Sequence, residues 1–298
     1  MARQTRGCAV MKPGQLDQFA VEPDARDPRL PVLALHDAAS SGRQWQGLSN
    51  YLRGRYHLIA PELPGHVDVG LRTANDVHDI AQLLIGALAP DTVPIHIVGH
   101  GHGAAVALEI ALSRPTLVRS LTLIEPTCFH LLLADDPADR MLFSELVDLA
   151  DRMAASIAAM KPTDAIQVYV DFWYGAGAWS RTSSGLRAHL ASQAEQVAMT
   201  LAAALAEYWP LSRCRRASCP TLAVMALESP AASLRVTELV AEAIIGARLV
   251  MIPDAGHMAP LTDPHILDPL IGSHLKSVDY VETTQPSWLR AARPRRAA

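Results

Sequence analysis

The sequence lacks most of the features that would indicate a secreted, membrane-spanning or nucleic-acid-binding protein. Its 298 residues include 26 Lys and Arg against 30 Asp and Glu, and this formal net charge of −4 favours no polyanionic partner such as nucleic acid. The uncharged stretch 92–108 is broken by proline, histidine and glycine, so it does not predict a membrane span. The first residues are basic but have no apolar core, and no secretory signal is expected.

The four cysteines are too scattered to indicate a disulfide framework or a metal site. Cys8, Cys128, Cys214 and Cys219 form no CxxC pair and show no metal-ligand spacing. We therefore expect reduced thiols, a cytoplasmic location, no cofactor and no bound metal. A small-molecule substrate or ligand is the expected partner, and the sequence indicates no particular oligomeric state.

Half of the residues are apolar, and their order along the chain predicts an α/β fold. Short apolar runs predict strands, and they alternate with segments whose apolar residues recur at helical spacing. This alternation is typical of a mostly parallel central sheet with helices on both faces. The predicted strands span 31–36, 56–60, 94–98, 118–124, 220–226 and 247–253. The predicted helices between them span 44–53, 77–88, 103–113, 232–245 and 264–276.

The alternation of strands and helices stops in the middle of the chain. Residues 126–215 are rich in alanine, leucine, methionine and charge, and their helical periodicity predicts a helical cap inserted into the core. The α/β core would then comprise residues 1–125 and 216–276. Residues 277–298, which contain prolines and several arginines, are predicted to form a flexible C-terminal tail.

Six segments of the chain, in this order, resemble segments of the α/β-hydrolase family. They are LALHDAASSGRQW, HLIAPELPGH, HIVGHGHGAAVALEIA, VRSLTLIEP, PTLAVMALESP and VMIPDAGHMAPLTDP. The third resembles the nucleophile elbow G-x-S-x-G, a sharp turn between a strand and a helix that presents a serine. The resemblance covers nearly the whole chain and implies a central, mostly parallel sheet with a helical cap.

The elbow of this chain carries glycine at the position of the family's nucleophile. The turn is Gly99-His100-Gly101-His102-Gly103, and it contains no Ser, Cys or Asp. Gly101 has no side chain, so it cannot form an acyl-enzyme. Glycine adopts the strained backbone angles of such a turn freely, and it therefore suits the bend while removing the chemistry.

The resemblance implies that His257, in the turn AGHM, is the catalytic histidine and that a carboxylate orients it. Glu125 follows a buried strand, where some haloalkane dehalogenases carry their acid, and a buried carboxylate there needs a partner. Glu228 is the alternative acid, because it lies beside the more usual position near Ser229. Either hypothesis requires a hydrogen bond between a ring nitrogen of His257 and the carboxylate.

Two further departures from the family surround the missing nucleophile. The family's His-Gly is His36-Asp37 in this chain, and its Pro-Gly-x-Gly is PGHV at 64–67. By analogy, the backbone amides of Ala38 and His102 would form the oxyanion hole. A carboxylate on Asp37 would repel a developing oxyanion unless it turned outward.

Three functions are compatible with these residues. The first is an enzyme, either a hydrolase or a cofactor-free lyase, for a small apolar ester-, lactone- or ketone-like substrate, with His257 as general base. The second is a non-catalytic ligand-binding pseudoenzyme, or a nucleophile-deleted variant of an ordinary serine hydrolase. The third is a metal-assisted hydrolase that uses His36, His102 and His257. The predicted substrate pocket contains the following residues: His36, Asp37, Phe129, Trp173, Trp179 and Met258.

Overall fold

One parallel sheet organises the protein. The structure, a computed structural model, describes residues 29–63, 76–88, 93–133 and 136–284. In these residues six strands lie in the order β2-β1-β3-β4-β5-β6, and each neighbouring pair is parallel. The predicted fold class is confirmed. The strands are β1 (Leu30–Leu35), β2 (Tyr56–Ile59), β3 (Ile95–His100), β4 (Val118–Ile124), β5 (Thr221–Ala226) and β6 (Arg248–Ile252).

Both faces of the sheet are covered. Leu33 and Leu35 of β1 pack in one hydrophobic cluster, whereas Val32 and Ala34 pack in a second. Successive side chains of a strand point to opposite faces, so the two clusters are the two sides of the sheet. The helices are α1 (Gln46–Leu52), α2 (Val77–Ala87), α3 (His102–Ser113), α4 (Pro137–Ala158), α5 (Pro162–Tyr174), α6 (Ala178–Arg181), α7 (Ser184–Ser192), α8 (Ala194–Ala206), α9 (Ala231–Ala243), α10 (Ala259–Thr262) and α11 (Pro264–Thr284).

The two outer glycines of the elbow allow α3 to lie directly against the sheet. A Cβ on Gly103 would overlap the backbone oxygens of Leu35 and His36. A Cβ on Gly99 would overlap the backbone at the start of α3. Their absent side chains therefore fix the approach of α3 to β1, and this approach places Gly101 at the carboxyl edge of the sheet.

Helices α4 to α8 lie between β4 and β5, in the segment predicted as a cap. Apolar side chains of these helices, such as Trp173, share a hydrophobic cluster with α2 and α3. The cluster is continuous from the sheet to the inserted helices and marks no boundary between them. The domain limits at 126 and 215 stay a prediction.

The last described helix is longer than the sequence suggests. Helix α11 extends to Thr284, whereas the periodicity predicts a helix only near 264–276. The expectation of a loose tail is wrong for the start of the segment 277–298, because Val278 and Asp279 are buried and hold the helix against the rest of the protein. Residues 285–298 lie outside the described residues.

The cysteines that the structure describes are free thiols. Cys128, Cys214 and Cys219 are all buried, and Cys8 lies outside the described residues. None of the helices α1 to α11 has the length and hydropathy needed to cross a bilayer.

A buried ion-pair cluster joins α11 to the amino ends of the strands. Asp279 accepts a hydrogen bond of 2.7 Å from the hydroxyl of Tyr56 in β2 and one of 2.8 Å from Nε of Arg119 in β4. A ring nitrogen of His96 in β3 lies 3.3 Å from the same carboxylate. Burial raises the pKa of Asp279, but the hydrogen bonds from these three side chains outweigh it and hold the pKa well below its usual range. The carboxylate is therefore charged and ties three strands to one helix.

We expect Asp279→Ala to lower the free energy of unfolding by about 3–5 kcal/mol, because it leaves the Arg119 guanidinium and the Tyr56 hydroxyl without their buried acceptor. Asp151→Ala, at an exposed position of α4, is the matched control and should change stability by less than about 0.5 kcal/mol. Urea unfolding of both variants measures the difference. Equal stability of the two variants would show that the cluster does not hold α11.

Candidate active site

Loops at the carboxyl edge of the sheet bring four of the predicted site residues together. Asp37 follows β1, Gly101 follows β3 and Glu125 follows β4. His257 lies in the loop that follows β6. The carboxyl ends of parallel strands meet at one edge, which is where α/β folds assemble their sites.

The backbone turns sharply at Gly101, between β3 and α3. Gly101 has φ 53° and ψ −116°, angles that a residue with a side chain adopts only under strain. Its N–H donates a hydrogen bond of 2.9 Å to the carbonyl oxygen of Ile124, and its own carbonyl accepts from the N–H of Thr127 at 3.2 Å. The turn is thus anchored to the end of β4 and to the segment that follows it.

The carboxylate of Asp37 occupies the space in which a side chain on residue 101 would stand. A Cβ built on Gly101 would overlap Oδ1 of Asp37. The same Oδ1 accepts a hydrogen bond of 2.8 Å from the backbone N–H of His102. The amide of His102 was predicted to serve an oxyanion hole with that of Ala38, but in this structure it is bonded to a carboxylate. Asp37 turns inward, where the N–H of His102 and the ring of His257 compensate its buried charge.

His257 bridges Asp37 and Glu125. Its Nδ1 lies 2.6 Å from Oε2 of Glu125, and its Nε2 lies 3.3 Å from Oδ2 of Asp37. All three side chains are buried. They form a continuous row of carboxylate, imidazole and carboxylate.

Glu125 is held by several donors besides His257. Its Oε1 accepts from the backbone N–H of Ala226 at 2.7 Å and from the hydroxyl of Ser229 at 2.8 Å, and its Oε2 accepts from the hydroxyl of Ser233 at 3.0 Å. The residue has φ 47°, a strained backbone conformation for a side chain of this size.

The alternative acid, Glu228, is exposed, and none of its hydrogen bonds within the described residues reaches His257.

The two carboxylates hold His257 as an imidazolium. Burial lowers the pKa of His257, but the hydrogen bonds and charges of Asp37 and Glu125 outweigh it and raise this pKa to about 9. Burial raises the pKa values of Asp37 and Glu125, and the hydrogen bond and charge of His257 outweigh it, so both pKa values lie below their usual range. The resting site therefore contains a cation between two anions and differs from the neutral base that the sequence analysis expects.

Two neighbouring histidines position this row and stay neutral. His100 donates from Nε2 to the carbonyl oxygen of His257 at 2.8 Å, and burial together with the charge of His257 lowers its pKa to about 4. His36 donates from Nδ1 to the carbonyl oxygen of Asp37 at 2.8 Å and accepts from the N–H of Leu63 at 2.9 Å. Burial lowers the pKa of His36 as well. Each ring fixes the backbone of a residue in the row.

No group of three or more His, Cys, Asp and Glu side chains that could hold a metal ion is found in the described part of the chain. Both ring nitrogens of His36 are engaged with backbone groups, so its geometry does not favour the predicted metal-ligand role. The segment PGHV at 64–67 lies outside the described residues.

A small cavity lies between the sheet edge and helices α5 and α8. Its volume of about 10 Å³ is close to the least that holds one water molecule. Most of its wall is apolar or aromatic, and an ester or lactone would fit there only if helices α5 and α8 moved away from the sheet edge. The residues that line it are Ala38, His102, Thr127, Phe129, Tyr169, Trp173, Thr200, Leu201 and Ala204.

The cavity includes two of the predicted pocket residues, Phe129 and Trp173. The ring of Trp173 lies 4.3 Å from that of His257, centroid to centroid, so α5 covers the imidazolium. The other predicted pocket residues do not line this cavity. His36 and Asp37 lie in the loop after β1, where Asp37 contacts His257. Trp179 lies beside Arg187 in the inserted helices, and Met258 is buried at the start of α10.

Sequence reasoning missed several residues of the site. Thr127 and Tyr169 line the cavity, and Ser229 and Ser233 donate hydrogen bonds to Glu125. A signal existed for Ser229, because it lies near the position at which the family usually carries its acid. A serine at this position can donate a hydrogen bond to a carboxylate on the loop that follows β4. Nothing in the spacing of Thr127 or Tyr169 distinguishes them from ordinary packing residues.

Comparison with known proteins finds relatives that match part of the chain. The chain is 32% identical over 101 residues to the monoacylglycerol lipase abhd6-B of Xenopus laevis, a match that covers 32% of this chain and 30% of the frog protein. It is 29% identical over 135 residues to the lipase LipV of Mycobacterium tuberculosis, covering 45% of this chain and 47% of that lipase. These matches span less than half of either relative.

The fold also matches solved structures over most of the chain. A hydrolase from Oleispira antarctica superimposes with a TM-score of 0.67 at 20% identity, over 84% of this chain and 92% of the other. The sequence pattern that describes the alpha/beta hydrolase family matches residues 32–267, which is most of the protein. The chain therefore belongs to the alpha/beta hydrolase family.

Proposed function

We propose that the protein hydrolyses a small, mainly apolar ester or lactone without a serine nucleophile. The observation that carries this proposal is the row Asp37–His257–Glu125, which lies beside an apolar cavity under α5. A buried imidazole that a carboxylate orients is suited to moving a proton to or from a reacting group. Relatives named as lipases support an ester-like substrate.

The charges of the row define the direction of the first proton transfer. His257 is an imidazolium in the resting site, so once a nucleophile has attacked the acyl carbon, Nε2 donates its proton to the alkoxide that leaves. Once neutral, the same ring accepts a proton from water. Glu125 keeps Nδ1 protonated throughout, because its carboxylate lies 2.6 Å from that nitrogen.

A non-catalytic binder is the second candidate, and one observation favours it. The N–H of His102, which would stabilise an oxyanion in this fold, is already bonded to Asp37. A protein of this kind would bind a small acyl compound in calorimetry and release no product from any ester or lactone. Turnover of such a substrate by the purified protein excludes this candidate.

We expect His257→Gln and Glu125→Gln each to lower kcat/KM for short-chain alkyl esters by about 10²–10⁴-fold, because each removes part of the proton transfer. The matched control is Asp254→Asn, an exposed carboxylate three residues before His257, which should retain wild-type activity. Steady-state assays with a panel of acetate to hexanoate esters measure the effect. Wild-type rates in the Gln variants would contradict the role of the row.

Restoring a serine requires two substitutions, because Asp37 fills the space above Gly101. We expect Gly101→Ser alone to stay inactive in a serine-dependent reaction, since its Cβ overlaps the carboxylate. Gly101→Ser with Asp37→Gly should label on serine with a fluorophosphonate probe, and intact-protein mass spectrometry measures the adduct. Labelling of the single variant at the same rate as the double variant would show that Asp37 does not block this position.

The pH dependence of kcat/KM should be that of an enzyme whose essential group acts as an acid, so that activity is lost when this group loses its proton. The pKa of His257 is raised to about 9, so the reactive imidazolium is present below this pH and is lost above it. We therefore expect kcat/KM to fall as pH rises through about 9 and to show no loss near pH 6.5, the ordinary pKa of histidine. NMR titration of the ring should give the same pKa, and a lower one in Asp37→Asn. A wild-type ring that titrates near 6.5 would contradict this charge assignment.

A further inference from the structure

We propose that Asp37 replaces the missing serine as the covalent nucleophile and forms a mixed anhydride with the acyl group of the substrate. The inference rests on the proposed ester or lactone hydrolysis and adds the identity of the attacking atom. It assigns a chemical role to a residue of the loop after β1, whereas the elbow supplies only the turn.

The position of the carboxylate is the first support. Oδ1 of Asp37 lies where the Cβ of a side chain on residue 101 would be, so the carboxylate that carries the attacking oxygen, Oδ2, reaches the elbow from a different strand. The N–H of His102 holds Oδ1 at 2.8 Å, and this contact orients the carboxylate. Oδ2 faces Nε2 of His257 at 3.3 Å, a long hydrogen bond that leaves this oxygen as the freer of the two.

The first step starts from the resting site, in which Asp37 is a carboxylate and His257 is an imidazolium. A lone pair of Oδ2 attacks the acyl carbon of the ester, and the bond from that carbon to the alkoxide oxygen breaks. The proton on Nε2 of His257 passes to the alkoxide, which leaves as the alcohol. The product is an anhydride between Asp37 and the acyl group, beside a neutral His257.

The second step returns the site to its resting state. Neutral His257 takes a proton from water through Nε2, and the hydroxide attacks Cγ of Asp37. The oxyanion develops on Oδ1, which already accepts the N–H of His102. The bond from Cγ to the bridging oxygen breaks, the proton of the new hydroxyl on Cγ passes to that oxygen, and the acyl group departs as a carboxylic acid. Asp37 is again a carboxylate and His257 is again an imidazolium.

Buried donors in the cavity are the second support. With the amide of His102 bonded to Asp37, the carbonyl oxygen of the substrate needs other donors. Oγ1 of Thr127 and Nε1 of Trp173 are buried, and neither has a hydrogen-bond partner among the described residues. Both side chains line the cavity. A buried donor without an acceptor is costly, so each of these groups is a candidate donor to the carbonyl oxygen of a bound acyl group.

Trapping the intermediate tests the inference. Nitrophenolate leaves without a proton, so His257→Gln should still complete the first step with p-nitrophenyl acetate and then stop. We expect a burst of about one nitrophenolate per protein with no further turnover. Borohydride reduction of the burst product should convert residue 37 to homoserine, which peptide mass spectrometry detects. Asp37→Asn in the same background should abolish the burst, and Asp254→Asn should leave it intact.

The wild-type protein supplies a second measurement that does not depend on the His257→Gln variant. Borohydride added during steady-state turnover should also place homoserine at position 37. Ester hydrolysis by the wild type with neither a burst in the variant nor homoserine at position 37 would overturn the inference and leave the proposed hydrolysis standing. The absence of hydrolysis by the wild type across the panel would overturn the proposed function itself.

Discussion

The carboxylate of Asp37 is the feature on which the arrangement of the site depends. It fills the space that the absent side chain of Gly101 leaves, and it accepts the N–H of His102. A side chain on residue 101 and an inward carboxylate on residue 37 therefore exclude each other. The carboxylate is paired in this space with the N–H of His102 and with the ring of His257.

The protonation states of Asp37, His257 and Glu125 follow from the inward position of the Asp37 carboxylate. A neutral serine beside a histidine leaves one carboxylate to orient the ring, whereas here two carboxylates flank it and favour its protonated form. Buried charges are tolerated only when they are paired and hydrogen-bonded. Glu125 meets this condition through Ser229, Ser233 and the N–H of Ala226. These contacts stabilise the charged carboxylate of Glu125 at the end of β4, where it contacts Nδ1 of His257.

The sequence predicted the sheet, its helices and the convergence of His36, Asp37, Gly101, Glu125 and His257, because hydrophobic periodicity and the order of motifs determine which residues reach the carboxyl edge. It did not predict the direction of the Asp37 side chain. A rotamer is set by the contacts that compete for it, and the decisive contacts come from β3 and from the loop after β6. The same limit applies to Thr127 and Tyr169, whose role depends on how the inserted helices pack. Helix α11 was predicted too short because the partners of Asp279 lie on distant strands.

The Asp279 cluster and the row around His257 lie at opposite ends of the sheet. The cluster around Asp279 joins the amino ends of β2, β3 and β4 to α11, while the row around His257 lies at their carboxyl ends. Glycine at position 101 also removes the strain that a side chain would carry at φ 53°, whereas Glu125 keeps a strained conformation at φ 47°. Strain of this kind persists where the surrounding contacts over-determine the residue, and four hydrogen-bond donors do so for Glu125. Glu125 is thus held, despite its backbone strain, where its carboxylate orients the ring of His257.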